Sequence, residues 1–250
     1  HYLVHAYDDP VHAPLGLRAA RRYGKVAPAA AHAQHMPSHI FFALGMWDDA
    51  IEANIASLAT ARSQGQGGYH ALEWLAYAYL QQGMREDAAK LVQSVADDAA
   101  GKPTQGNRTT LAYARAMWLV ETGSADPTGW ADVDETGIKS IYAFSAYDFA
   151  RGVVAARSGD VSASEAHARR LQARSDAARA NAVGVVASRY DSVTPVELEQ
   201  GQILATALAG AILFAQGKRD DGLDRGRQAI ARADSMAFEY GPPYSVKPLD

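Results

Sequence analysis

The chain has no cysteine among its 250 residues, so it has no disulfide framework and no thiol nucleophile. Runs that alternate apolar and polar residues, the mark of a half-buried strand, are nearly missing. There is no phosphate-binding loop: "GQGG" from Gly65 has neither the spacing nor a preceding strand, and "GKRDD" from Gly217 lacks the Ser or Thr that must follow the lysine. No Gly-x-Ser-x-Gly elbow occurs. Basic charge is not in excess, with 24 Lys and Arg against 28 Asp and Glu and a net charge of −4, which argues against a nucleic-acid partner. The longest uncharged stretch, "GQILATALAGAILFAQ" from Gly201 to Gln216, is short for a membrane span and reads as a buried helix. The chain opens on His1 without Met or a charged-plus-apolar leader, which reads as a fragment or a processed form. The compartment therefore stays open between cytoplasm and periplasm.

What the sequence does hold is alanine, and apolar residues recurring at intervals of three and four. That is an all-α pattern. The expected helices are His1–Tyr7, Ala13–Lys25, Pro37–Leu44, Trp47–Arg62, Tyr69–Gln82, Arg85–Ala99, Arg108–Glu121, Ser140–Ser158, Ser162–Ala180, Pro195–Gln216 and Arg219–Glu239. Most connections are short, so neighbours should pack antiparallel. Two are long, Gly123–Gly137 and Gly184–Pro195, and the proline-rich stretch 240–250 should be extended.

Four segments align: "LGMWDDAIEA" from Leu44, "QGMREDAAKL" from Gln82, "SGDVSASEAH" from Ser158 and, more faintly, "QGKRDDGLDR" from Gln216. Each has a turn glycine (Gly45, Gly83, Gly159, Gly217) followed by acidic or polar residues. Glycine tolerates the left-handed conformation at a helix end. The acids suit the positive N-terminus of the next helix. The repeat units are 1–34, 35–68 and 69–106, with irregular units over 107–239, all within a single domain of 1–250.

These motifs resemble the tetratricopeptide repeat family. "ALGMWDDAIEANIASL" from Ala43 carries the family's Gly, aromatic, acidic pair, Ala and Ile, and "YLQQGMREDAAKLVQSV" from Tyr79 follows it more loosely. The combination of "HYLVHAYDDP", "HMPSHIFFALGMWDDAIEAN" and "HALEWLAYAYLQQG" looks like a group of uncharacterised bacterial proteins that contain such repeats, and no activity is carried over from them. The resemblance implies antiparallel helical hairpins forming a right-handed α-solenoid, with ligands held in a concave groove lined by the first helix of each pair. Pro37 departs from the family pattern, because it stands where a first helix should already be running.

Two histidine pairs at four-residue spacing, His1/His5 and His35/His39, are offset from each other by 34 residues. Counting back from the turn glycines places His1, His35 and Glu73 in one row and His5, His39 and Tyr77 in a second, with His70 a turn before Glu73 on the same face. Phe42 should face the groove too. Imidazole and carboxylate donors suit zinc, iron, copper or nickel, and the i, i+4 spacing is the one by which a helix puts two imidazoles on one ion. The expected metal ligands are His1, His5, His35 and His39. The expected ligand-binding surface is His5, His35, His39, Phe42, His70, Glu73 and Tyr77.

Three readings remain open from sequence. The first is a binding protein whose groove holds a peptide or protein segment, a small anion or a metal-bound species, with the apolar second half as scaffold or homo-oligomer face. The second is a hydrolase that activates water on a metal, with Glu73 or Asp8 as general base. The third is a purely structural network of buried rings. An anion competes with a metal if Pro37 opens a helix, since His35 and His39 would then flank a helix N-terminus. His12 and His32 read as turn or solvent-facing residues, Asp8-Asp9-Pro10 as a turn and cap, His167 as a surface residue, and Trp47, Trp74, Tyr79 and Trp118 as core.

Overall fold

A computed structural model of the chain describes residues 1–124, 130, 132–181, 193–236, 241–243 and 247. Among these residues there are twelve helices and no strand. The chain divides into two compact units, the first built from His1–Ser94 with residues 241–243, the second from Val95 onward. The expected all-α class is thus the observed one.

The first unit holds α1 (Tyr2–Ala6), α2 (Ala13–Val26), α3 (Ala31–His35), α4 (Pro37–Ala43), α5 (Trp47–Ser63), α6 (Tyr69–Gln81) and the start of α7 (Arg85–Gly101). Val4, Ala13, Ala20, Met36, Ile40, Phe41 and Ala50 form its core, drawn from α1, α2, α4, α5 and the α3–α4 junction. Small residues let these helices approach: a Cβ on Gly16 would lie 2.7 Å from the Cδ1 of Ile40.

The four aligned turns share one geometry. Gly45 has φ +67°, and Gly83, Gly159 and Gly217 have φ +71°, +83° and +79°. At the first turn Gly45 N–H donates to Phe42 O and Met46 N–H to Phe41 O. Gly83/Met84, Gly159/Asp160 and Gly217/Lys218 repeat both bonds with their own preceding helices. This is the Schellman arrangement, which satisfies the last carbonyls of a helix and requires a residue that accepts positive φ.

One helix was not expected. The chain is already helical from Ala31, and Met36 keeps right-handed helical angles (φ −51°, ψ −37°) between α3 and α4. Pro37 opens α4 as expected, in the first turn where its missing N–H is tolerated, and the helical angles at Met36 join α3 to it. Without an N–H Pro37 cannot donate to Ala33, and the ladder resumes with a tighter bond from His39 N–H to Met36 O. The Ser38 hydroxyl donates to His35 O at 2.7 Å and closes the gap.

The second unit holds the remainder of α7 and α8 (Gln105–Thr122), α9 (Ile141–Arg157), α10 (Val161–Asn181), α11 (Pro195–Ala215) and α12 (Arg219–Asp234). Helix α9 packs on α8, α10 and α11, and α11 on α10 and α12. Expected helix ends agree with these spans to within about three residues, except that the last helix ends at Asp234, short of the expected Glu239; residues 237–239 lie outside the described residues. So do 125–129, 131, 182–192 and most of 240–250, on which the expected long connections and extended stretch fall. By length and composition α11 could cross a membrane; here it packs against three helices of its own unit, and Ile203, Leu204 and Leu208 are core residues.

Glycine also sets the α9–α11 spacing, since a Cβ at Gly152 would come within 2.7 Å of the Leu208 side chain. Gly152→Val should overpack this contact and cost about 1–3 kcal/mol, read as a lowered urea midpoint at unchanged m-value.

Candidate metal centre

Six of the eight histidines gather in the first unit. Centroid separations are 4.9 Å for His1–His5, 5.3 Å for His5–His39, 4.9 Å for His35–His39 and 4.4 Å for His35–His70. His32 closes the ring, 5.9 Å from His35, 6.3 Å from His70 and 5.4 Å from His1. The three inner rings come from α3, α4 and α6. His32, His35 and His39 follow i, i+3, i+7 spacing, so the helical continuity through Met36 puts all three on one face.

The inner rings are fixed by their outer nitrogens. His35 Nδ1 lies 2.6 Å from Asn54 Oδ1, while Asn54 Nδ2 donates to Ala50 O at 2.8 Å. That second bond orients the amide, so Asn54 Oδ1 accepts and His35 Nδ1 carries the proton. His35 Nε2 is then a lone pair. It faces His39 Nε2 at 3.1 Å, and His39 Nδ1 lies 2.5 Å from Asp8 Oδ2. The first two side chains are 2% exposed or less and Asp8 is 7% exposed.

Burial is the largest influence on both members of the Asp8–His39 pair. It pushes the Asp8 carboxyl up to about 7, against the pull of nearby His5. It drives His39 down to about 3, helped by the neighbouring His5 and His32. The pair therefore shares one proton. While Asp8 holds it, the bonds run in one direction: Asp8 donates to His39 Nδ1, His39 Nε2–H to His35 Nε2, and His35 Nδ1–H to Asn54. Once that proton leaves, His39 Nδ1–H turns to the carboxylate and two Nε2 lone pairs confront each other. Such an arrangement is repulsive unless a cation stands between them.

The spacing suits one. Two nitrogens 3.1 Å apart, each about 2.0–2.1 Å from an ion, subtend an angle of about 100°, near tetrahedral. The ligand atoms of His35, His39 and His70 all lie within 4.8 Å of one another. Asn54 and Asp8 are the outer partners that hold each ring's tautomer and orientation.

The indole of Trp74 walls the site, with its centroid 4.4 Å from that of His39 and 4.9 Å from that of His35. The Phe42 ring packs against the indole at a tilt, with centroids 4.6 Å apart. Gly241, at φ +103°, lies so close to the indole that a Cβ would fall 2.7 Å from its Cζ2.

Helix α6 presents His70, which the count placed on this face, and Trp74 to the α3–α4 rings. Glu73 is buried, and Tyr77 lies beside Phe42 and Trp47 at 5.8 Å and 6.1 Å. His1 reaches His5 and His32 in the outer, more exposed layer. Asp9 closes the expected turn, accepting from Val11 and His12 backbone N–H groups, but makes no cap bond to α2, whose N-cap is His12, while Asp8 turns inward. His32 and Asn54 were missed: the first because α3 was, the second because a lone Asn on another helix carries no sequence signal.

In the second unit His167 is not a simple surface residue. Its Nδ1 lies 3.1 Å from the fully buried Asp148, which Arg170 approaches to 3.2 Å. Glu135 pairs with both Arg170 and Arg174. Every charge there has an opposite neighbour, and the group ties α9 and α10 to the segment before α9.

Compared with protein-family models, curated proteins and solved structures, the chain matches none.

Proposed function

We propose that this chain is a tetratricopeptide-like helical-repeat protein that binds a divalent transition-metal ion through His35, His39 and His70. The observation that carries the reading is the pair of Nε2 atoms 3.1 Å apart on rings whose Nδ1 atoms already face acceptors. Three imidazoles favour zinc or copper(II) over magnesium or calcium. The four matching glycine turns support the repeat architecture, because each joins two successive helices at an aligned position. Three protein donors leave a coordination position for a further ligand, which is the arrangement of exchangeable and catalytic sites rather than closed structural ones.

The test is elemental analysis after loading with Zn²⁺ and exhaustive dialysis. Wild-type protein should retain zinc at pH 7.5, and His35→Ala and His70→Ala should each release it. Equal retention in wild type and both variants would remove the proposal. The pH dependence has a definite sign. Below about pH 7 the folded apo protein keeps a proton on the Asp8–His39 pair, and an ion must displace it. Affinity should fall as pH is lowered below 7, approaching tenfold per unit, with about one proton released per ion.

A further inference from the structure

We propose that Asp8, His5 and the Nδ1 atom of His39 hold a second divalent ion, so that His39 bridges two metals through its opposite ring nitrogens. This rests on the first ion sitting at His35, His39 and His70. The ligand atoms of His5, Asp8 and His39 also lie within 4.8 Å of one another, so two metal-competent triplets share this one residue. Asp8 Oδ2 is 2.5 Å from His39 Nδ1 and 3.9 Å from His5 Nδ1.

Position favours the second ion too. Asp8 is a buried carboxylate among imidazoles, with a 3% exposed side chain, whereas the His5 side chain is 33% exposed and gives an ion a path from solvent. A buried carboxylate is stabilised by a cation it can touch. Asp8 lies in the turn between α1 and α2, outside either helix. Two donors about 2.0–2.1 Å from one ion stand roughly 3 Å apart, so the present 2.5 Å separation must widen by about half an ångström. The exchange balances simply. The hydrogen bond between Nδ1 and Oδ2 breaks, its proton leaves to solvent, and bonds from Nδ1 and Oδ2 to the ion replace it. No electron moves. His39 becomes an imidazolate, and its charge with that of Asp8 offsets the repulsion between the two cations.

Copper(II) titration of the full chain, followed by visible absorption and electron paramagnetic resonance, tests this. About two ions should bind, and the second should quench the signal of the first through exchange across the imidazolate. His5→Ala removes a partly exposed ring and should leave one ion with an unquenched signal. Asp8→Asn should also lose the second ion, with unchanged circular dichroism. A wild type that takes one ion whether or not His5 is present overturns the second site and leaves the first standing. Two ions with no spin coupling also overturn it. A wild type that takes no copper overturns both sites.

Discussion

His39→Ala is expected to abolish metal retention and to lower the stability of the apo protein by about 2–4 kcal/mol. The ring is the common member of both ligand triplets. Its loss leaves one inner triplet with two donors and the other with His5 and Asp8 alone. The fall in affinity should exceed the roughly 10–100-fold that loss of an outer-shell partner costs. Asn54→Ala is the matching control. It removes the acceptor that fixes His35 at 2.6 Å and leaves all three inner rings in place, so its effect should stay within that smaller range. The stability cost has a separate origin. Asp8 loses its buried partner at 2.5 Å, and a buried polar group without one costs about 1–3 kcal/mol before the cavity left by the ring is counted. Competition with a chromophoric chelator measures the first effect and urea unfolding of metal-free protein the second. Chelator-resistant zinc in His39→Ala equal to wild type would exclude the site.

Much of this arrangement was legible because it is local. The turn glycines at 45, 83, 159 and 217 announce themselves through a short motif, and a Schellman turn uses only the residues around it. The His35/His39 pairing was legible for the same reason, as i and i+4 on one stretch of backbone. What was not legible was the short helix before Pro37. Proline is comfortable in a first turn and α4 does start there, but the chain is already helical from Ala31 and Met36 keeps helical angles between the two. Missing α3 put His32 in a turn. Trp74 was read only as core, because a count from Gly45 and Gly83 assigns positions along a helix and does not show which ring an indole meets. Contacts such as Asp8–His39 and His35–Asn54 span 31 and 19 residues and depend on tertiary packing that no short window contains.

Trp74→Ala separates the wall of the site from its ligands. The indole is 2% exposed and contacts the rings of His35, His39 and Phe42. Truncating so large a buried side chain should cost about 3–5 kcal/mol. That is a large share of the roughly 5–15 kcal/mol by which a typical protein is stable, so the apo midpoint should drop steeply. The three ligating nitrogens and their outer partners are untouched, however. An ion that binds only the folded state at a hundred times its dissociation constant adds about 2.7 kcal/mol. Zinc should therefore raise the melting temperature of Trp74→Ala in a concentration-dependent way, whereas His39→Ala, whose apo stability is reduced by a similar mechanism, should show no rise. Trp74→Phe, which keeps an aromatic face toward His39, should lie between wild type and Trp74→Ala in the absence of metal and respond fully to it. Thermal scans of the four proteins across a zinc series distinguish the two roles. If folded Trp74→Ala ignores zinc as completely as His39→Ala does, the indole sets the ring geometry itself, and the hydrogen bonds that the rings make to Asp8 and Asn54 are not enough to hold the site together.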